Sequence, residues 1–480
     1  MRNESNQLPD SSDETRQLVA RFKEMEENRK SVYFDSEELI SIAEFYAYNN
    51  QPEESSKVLE YALKIHPENL DIQLYRCRAL MAEGKTEDAE RFLDLITDQN
   101  DREVIFLRAE ILLEQSDLKN AEKLLKRLAD DEGHSKEVIL DIADTYIDFN
   151  MPKEAYGWLS PLYETNPDDD EIRDVMMQCT FDLKEYDKTI RIINARLDED
   201  PYNVENWLNL GRCYLETGQE EKMFEALDFA LSIDPEREDV LQVTGLCYME
   251  EKNYEKGIEM FSKLLRINPE NIGALSGMST CLTNLGMFER AITYQTKAID
   301  RLLPKMPDQE KAFFYQQRAF SYIMTEQLEK CKEDLDKALE YDTRNSSTYL
   351  TAANYYLIKG DIDRTLEEAG YAELYAQNDE EQLKEILMFY FQHTFFKDTI
   401  RVGKALEELL GDKAKKYSYV MAYSYYAINS HSDEMIKYMV RTIVYNPKLL
   451  TLTEKSPFVD AARRVNEMLE EGIIKKEDYL

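Results

Sequence analysis

Between Val204 and Pro269 one 34-residue pattern occurs twice, and this repeat restricts the possible folds more than any other feature of the sequence. Each copy has a large apolar residue at position 4, a small residue at 8, an aromatic at 11 and proline at 32. These positions are Trp207, Gly211, Tyr214 and Pro235, then Leu241, Gly245, Tyr248 and Pro269. Apolar residues three and four apart predict helices, and a period of this length predicts an array in which each repeat stacks on its neighbours.

The same register extends over most of the chain. Counting back from the prolines places about twelve repeats between residues 36 and 449, with a longer connection near residue 304 that breaks the period. The turn between two helices falls at position 15, where a left-handed residue is expected. Six repeats have a suitable residue there: Gly84, Gly218, Gly286, Gly360, Asn50 and Asn150. Helix-stop chemistry therefore supports the register independently of apolar spacing.

These positions and this period resemble the tetratricopeptide repeat family. The resemblance implies an all-α protein, a right-handed α-solenoid superhelix of about twelve helix-turn-helix repeats with end-capping helices. The predicted segments are a disordered tail (1–16), an N-terminal capping helix (17–35), an array of about eight repeats (36–303), a connecting loop (304–311), an array of about four repeats (312–449) and a C-terminal capping segment (450–480).

Charge and hydropathy limit the partners and the compartment. The chain carries 96 Asp and Glu against 59 Lys and Arg, a net charge of -37. So acidic a surface repels nucleic-acid phosphates and anionic lipid, and we expect neither nucleic acid nor membrane as a partner. No secretory signal and no uninterrupted apolar run long enough to span a bilayer is visible. We therefore expect a soluble cytoplasmic protein.

The residues that could bind a metal or take part in catalysis are better explained by packing. Cys179, Cys213, Cys247 and Cys281 recur at intervals of 34 residues, all at position 10. Equivalent positions in neighbouring repeats are too far apart for a disulfide, and free cysteine packs as a small apolar residue. No histidine pair has metal-site spacing, and no phosphate loop or nucleophile motif appears. We expect no catalytic residue, no metal, no cofactor and no enzyme activity.

By resemblance to the family, positions 2, 5, 6, 9, 12 and 13 of each repeat face a concave groove. In the first seven repeats these positions are rich in carboxylates. The acidic residues predicted to bind a partner are Glu44, Glu110, Asp141, Asp144, Asp148, Asp174 and Glu216. They favour a Lys- or Arg-rich segment, bound less tightly as salt rises. A solvated acidic surface is the alternative.

In the last four repeats the same positions become apolar. The predicted apolar binding residues are Phe313, Phe320, Met324, Leu350, Leu357, Met388, Phe391 and Met421. An apolar stripe of this size does not normally stay open to water. Either tighter coiling or the segment 450–480 covers it, or it binds an apolar peptide, a partner helix or a second copy of the chain as a homodimer.

The sequence thus predicts a non-enzymatic scaffold or adaptor that binds a partner protein or peptide in the repeat groove. The alternative is a ligand-responsive regulator whose superhelix changes shape when a peptide binds. Some relatives hold acidic chaperone tails with Lys, Asn and Arg at positions 2, 5, 6 and 9 of three successive repeats. No three successive repeats here carry that set, so we expect no such clamp.

Overall fold

The computed structural model describes residues 13–28, 32–49, 51–303, 306–428, 432–451 and 456–479. The chain forms two compact units, unit 1 (Met1–Ile233) and unit 2 (Asp234–Leu480). Throughout the described ranges the regular secondary structure is helical, without a β-strand. Twelve successive helix pairs lie between an initial and a final single helix, so the predicted all-α repeat solenoid is confirmed.

Unit 1 contains one leading helix and six pairs, in which the even-numbered helix is the first of its repeat. The helices are α1 (Asp13–Asn28), α2 (Ser36–Tyr48), α3 (Pro52–Ile65), α4 (Leu70–Ala82), α5 (Thr86–Leu93), α6 (Arg102–Glu114), α7 (Leu118–Asp131), α8 (Lys136–Asp148), α9 (Pro152–Thr165), α10 (Asp170–Asp182), α11 (Tyr186–Glu199), α12 (Val204–Glu216) and α13 (Glu220–Ile233).

Unit 2 contains six further pairs and a closing helix. The helices are α14 (Glu238–Glu250), α15 (Tyr254–Ile267), α16 (Ile272–Asn284), α17 (Phe288–Leu302), α18 (Asp308–Met324), α19 (Leu328–Tyr341), α20 (Ser346–Lys359), α21 (Ile362–Ala376), α22 (Glu380–Gln392), α23 (Phe396–Leu410), α24 (Ser418–Ala427), α25 (Asp433–Tyr445) and α26 (Pro457–Glu470).

Position 15 adopts the left-handed conformation in every repeat from the second to the eleventh. The residues with positive φ are Gly84, Ser116, Asn150, Lys184, Gly218, Lys252, Gly286, Glu326, Gly360 and Thr394. Each ends a first helix; at Lys252 the next amide, from Asn253, donates to the Tyr248 carbonyl at 2.8 Å. The predicted turn position is therefore confirmed, including at residues without glycine's freedom. Asn50 lies outside the described residues.

Small residues let neighbouring helices approach closely. A Cβ atom added at Gly245 would lie 2.7 Å from the Phe261 ring, and one added at Gly277 would lie 2.3 Å from it. The ring therefore fits between two first helices only because both positions lack a side chain. A Cβ at Gly257 would lie 3.1 Å from Sγ of Cys281, so position 10 packs against position 20 of the preceding repeat.

All six cysteines of the chain are buried and free. Burial raises the pKa of the Cys179 thiol to about 12 and that of the Cys213 thiol to about 11, which suppresses the reactive thiolate. The predicted packing role of the cysteines at position 10 is confirmed.

A cation lies over an aromatic ring at the turn of several repeats. In four repeats the cation at position 19 lies over the tyrosine ring at position 11. The pairs, with the distance from the cation to the ring centroid, are Lys222 and Tyr214 (5.4 Å), Lys256 and Tyr248 (4.9 Å), Lys330 and Tyr322 (5.4 Å), and Arg364 and Tyr356 (5.2 Å). Such contacts each contribute about 0.5–1 kcal/mol at exposed sites, so they fasten the two helices of a repeat together.

A single helix precedes the twelve pairs and another follows them. Helix α1 begins at Asp13, inside the segment predicted to be a disordered tail, while residues 1–12 lie outside the described residues. Helix α26 buries Phe458 and Val465 against α24 and α25. Its positions 4, 8 and 11, which are core positions elsewhere, are Asp460, Arg464 and Glu467. Charged side chains at these positions favour contact with water over contact with another helix, as the predicted cap requires.

The last residues are fastened to α25 through Arg441. Its guanidinium donates to the Tyr479 carbonyl at 2.9 Å and to Glu407 on α23 at 2.6 Å. Burial alone would raise the pKa of Glu407, but hydrogen bonds from Tyr438, Arg441 and Lys437 outweigh it and lower this pKa to about 2. Glu407 therefore stays ionised and holds α23, α25 and the C-terminal residues together.

The connection between the two predicted arrays is shorter than expected. Helix α18 already begins at Asp308, four residues before the register, so the predicted loop 304–311 contains a helical turn. The predicted division of the chain into segments remains a prediction.

The register of the last repeat requires a correction. Counting back from Pro447 places Tyr419 in the core and Met421 on the binding surface, but Tyr419 is 40% exposed and Met421 is 2% exposed. The reason is local: a 3₁₀ segment (Gly411–Tyr417) occupies the expected start, so α24 begins at Ser418. Met421 thus falls at position 4 and packs closely over Gly403.

Candidate partner-binding surfaces

The first helices form two candidate binding surfaces, which differ in charge. The acidic face comprises positions 2, 5, 6, 9, 12 and 13 of α2, α4, α6, α8, α10 and α12 in unit 1. The apolar face comprises the same positions of α18, α20, α22 and α24 in unit 2. Counting Lys and Arg against Asp and Glu, unit 1 carries -27 of the net charge and unit 2 carries -10. Long-range attraction for cations is therefore concentrated in unit 1.

The predicted acidic residues all lie on first helices of unit 1. Four are exposed and three are half-buried. The exposed ones are Glu44, Asp148, Asp174 and Glu216, and the half-buried ones are Glu110, Asp141 and Asp144. Burial and Glu44 together raise the pKa of Tyr75 on α4 to about 12, so α2 and α4 share one electrostatic environment.

Several of these acids already have partners that sequence reasoning missed. Asp141 pairs with Arg102 at the start of α6, and Asp174 pairs with Arg196 from the second helix α11. Glu216 accepts a hydrogen bond from the Tyr186 hydroxyl at 3.2 Å. Arg102 is at position 1 of a first helix and Arg196 is on a second helix, so neither is among the six surface positions and the repeat register gave no signal for them. The acidic face is partly neutralised from its edges.

Several carboxylates surround Asp144, and two of them already pair with a cation, Asp141 with Arg102 and Glu171 with Lys136 at 2.8 Å. Burial, reinforced by Asp141, Asp148 and Glu171, raises the pKa of Asp144 to about 6. Glu171 belongs to α10, which packs beside α8, so the cluster spans two repeats. No side chain of the described residues donates a hydrogen bond to the Asp144 carboxylate. A cation placed here would stabilise the ionised form of Asp144.

The apolar face of unit 2 keeps its apolar side chains partly accessible. Half-buried members are Phe313, Phe320, Leu350, Leu357, Met388 and Phe391. Met324 is 49% exposed and Ile358, at the equivalent position 13 of the next repeat, is 55% exposed. The structure therefore brings together seven of the eight predicted apolar residues on consecutive first helices, and excludes Met421.

Two of these helices present no charge at all on this face. The six surface positions of α18 and α20 contain phenylalanine, glutamine, isoleucine, methionine, serine, leucine, threonine and asparagine, in a chain of which 32% is charged. Where the two helices meet, Gln316 donates to the Thr351 hydroxyl at 2.9 Å, and both side chains are buried. The polar groups between the helices are thus satisfied internally, leaving an uncharged surface.

The apolar face ends in an aromatic cluster on α24. Starting from Ser418, the surface positions 2, 6 and 9 are Tyr419, Tyr423 and Tyr426. Phe458 of α26 lies against all three, with ring centroids 5.6, 5.1 and 5.6 Å away. Phe391 lies 5.6 Å from Tyr423 on the other side. Within the described part of the C-terminal segment, these ring contacts reach α24 and go no further along the face.

The described residues offer little for other chemistry. Among them no cluster of three or more metal-ligating side chains could hold an ion. In the same ranges no helix has the length and apolar character needed to cross a membrane.

Comparison with known protein families finds repeats where the structure has helix pairs. Tetratricopeptide repeat models match residues 46–111 and 112–179, and a second such model matches 204–237 and 239–271. No curated protein is a significant match to the chain.

Three of the solved structures that are similar to this chain are the following. A tetratricopeptide repeat protein from Parabacteroides merdae is 19% identical over 53% of this chain and 97% of its own, with a TM-score of 0.42. Cut9–Hcn1, an APC/C hetero-tetramer, is 12% identical over 94% and 99%, with a TM-score of 0.38. YrrB, a TPR protein with an unusual peptide-binding site, is 18% identical over 40% and 96%, with a TM-score of 0.33.

The family assignment rests on the matched repeat models together with the observed pairs and their left-handed turns. Proteins of this kind are in general non-enzymatic scaffolds for protein–protein interaction. Residues 46–179 and 204–271 of the chain are thus tetratricopeptide repeats, within an array of helix pairs of the same kind.

Proposed function

We propose that this protein is a non-enzymatic scaffold that binds a partner protein through the first-helix faces of its repeats, and that the acidic face takes a basic segment of that partner. The observation that carries the proposal is the group of carboxylates around Asp144 on α8 and α10: burial, reinforced by the charges of Asp141, Asp148 and Glu171, raises the pKa of Asp144 to about 6. A lysine or arginine side chain stabilises the ionised form of Asp144 on binding.

The raised pKa gives the proposal a pH signature. A cation binds the deprotonated carboxylate, so affinity depends on the ionised fraction of Asp144. Because this pKa lies above the usual value for aspartate, the residue is protonated below about pH 6 and ionised above it. Affinity for a cationic segment should therefore increase between about pH 5 and pH 7 and then level off.

The test is a titration of the full chain with a short fluorescent peptide of alternating lysine and serine. We expect binding that weakens from about 0.05 to about 0.5 M salt and tightens with rising pH. Asp144→Asn with Asp148→Asn should reduce affinity at pH 7 by about fivefold, roughly 1 kcal/mol, and flatten the pH dependence.

The matched control removes the same charge from second helices of the same unit, as Glu122→Gln on α7 with Asp187→Asn on α11, both exposed. Its affinity should stay close to that of the native chain. Equal losses in both variants would reduce the interaction to bulk charge and contradict a defined site.

The regulatory alternative makes a separate prediction. If peptide binding changes the conformation of the repeats, small-angle scattering should report a change in radius of gyration when the basic peptide saturates the chain. A scaffold that binds without rearrangement should show none.

A further inference from the structure

The dimensions of the apolar face indicate which kind of partner element it can bind. Phe313 and Phe320 are seven residues apart on α18, as are Leu350 and Leu357 on α20, which is about 10 Å along each helix axis. These residues therefore form two apolar lines that cross the helices about 10 Å from each other. Helices α18, α20 and α22 pack side by side, and neighbouring helices lie about 8–10 Å apart. The face is thus about 10 Å wide and about 20 Å long.

An α-helix with its side chains is about 10–12 Å across, so a helix laid over α18 and α20 contacts both apolar lines. On α22 only the second line continues, at Met388 and Phe391, because positions 2 and 5 there are Glu381 and Lys384. An extended strand is about half as wide and would leave one line in water. About 14 residues of helix span the length of the face, with apolar residues at i, i+3, i+4 and i+7.

Charge indicates the composition of that helix. The six surface positions of α18 and α20 carry no charged side chain, so a charge buried against them would have no partner. The apolar face also adjoins a helix contact that the chain makes itself: α26 seats Phe458 among Tyr419, Tyr423 and Tyr426, and Tyr423 in turn contacts Phe391. An amphipathic helix with an aromatic anchor is therefore already accommodated at the end of this face.

We propose that the apolar face on α18, α20 and α22 docks an uncharged, apolar helix face of a partner protein, a second site distinct in chemistry from the acidic face. The inference rests on the proposed scaffold function and specifies the partner for unit 2. Met324 and Ile358, the most exposed members, form one border of the site.

The probe is a stapled helical peptide of about 14 residues, net charge zero, with leucine and phenylalanine on one face and glutamine and serine on the other. Binding to the full chain is followed by fluorescence anisotropy. We expect binding that is insensitive to salt, and at least a tenfold loss in the variant Met324→Glu with Ile358→Glu.

Two controls make the result specific. Leu374→Glu changes a 63% exposed leucine on the second helix α21 and should leave affinity unchanged. A peptide of the same composition with its apolar residues distributed around the helix should bind at least tenfold more weakly. Because both glutamate substitutions lie at exposed positions near helix ends, helicity measured by circular dichroism should stay unchanged.

Several outcomes would overturn the proposal: no binding, equal binding of the scrambled peptide, tighter binding of an unstapled proline-containing version, or equal loss in Leu374→Glu. Sedimentation showing a dimer that dissociates in Met324→Glu with Ile358→Glu would assign the face to a second copy instead. Asp144→Asn should not affect the stapled peptide, so failure here is distinguishable from failure of the basic peptide to bind unit 1.

Discussion

At the scale of single residues, the positions without side chains determine how closely the helices of unit 2 pack. Phe261 occupies a space that exists because Gly245 and Gly277 have no Cβ atom. The sequence predicted a small residue at position 8, where Gly245 stands, from the repeat pattern. It could not predict the role of Gly277 at position 6, because that role depends on the ring of Phe261 in the preceding repeat, and a period describes positions rather than contacts.

Gly277→Ala should destabilise unit 2 by about 1–3 kcal/mol, because the new methyl group must displace the Phe261 ring. The measurement is the free energy of unfolding in urea. Gly370→Ala on α21 is the control: a Cβ there has open space, so alanine's better helix propensity should raise stability by up to about 1 kcal/mol.

A double-mutant cycle makes the cause explicit. In a Phe261→Leu background the smaller side chain leaves room for the methyl group, so Gly277→Ala should cost less than in the native chain. Equal cost in both backgrounds would rule out the ring as the obstacle.

At the scale of elements, the turn after each first helix follows from backbone geometry rather than from residue type. Sequence reasoning recognised the turn where glycine or asparagine marks it, and the structure has the same left-handed residue at Lys184, Lys252 and Glu326. The stacking of neighbouring repeats imposes the conformation there, although side chains disfavour it. The start of α24 was mispredicted for the opposite reason: a proline count assumes constant repeat length, and a 3₁₀ segment changes it.

Lys252→Gly should therefore stabilise the chain. Removing a side chain from a residue with φ of 59° relieves about 1–2 kcal/mol of strain, and glycine's greater freedom in the unfolded chain returns about 0.4–1 kcal/mol of it. The expected net gain is about 0.5–1 kcal/mol in thermal or urea unfolding.

Lys252→Ala is the control that removes the lysine side chain but keeps the backbone strain, because alanine also has a Cβ atom. This substitution should change the free energy of unfolding little. Gly360→Ala, at a residue with φ of 78°, should destabilise by about 1 kcal/mol. A stabilising effect of Gly360→Ala would show that position 15 is not strained.

At the scale of the whole molecule, the two units differ in what they offer a partner. Unit 1 has most of the net charge and the group of carboxylates around Asp144, whereas unit 2 has an uncharged apolar face on α18 and α20. The sequence predicted this contrast because both surfaces follow the repeat register. It could not predict that Arg102 and Arg196 neutralise part of the acidic face, since these residues reach it from other positions in the fold.

The most direct test of the proposed acidic binding site is to identify the carboxylates that contact a bound cation. Zero-length carbodiimide cross-linking joins a lysine of the basic peptide to the carboxylate it contacts, and mass spectrometry locates the link. We predict links to Asp141, Asp144, Asp148 and Glu171 on the first helices α8 and α10. Links concentrated on second-helix carboxylates such as Glu122 and Asp187 would contradict it.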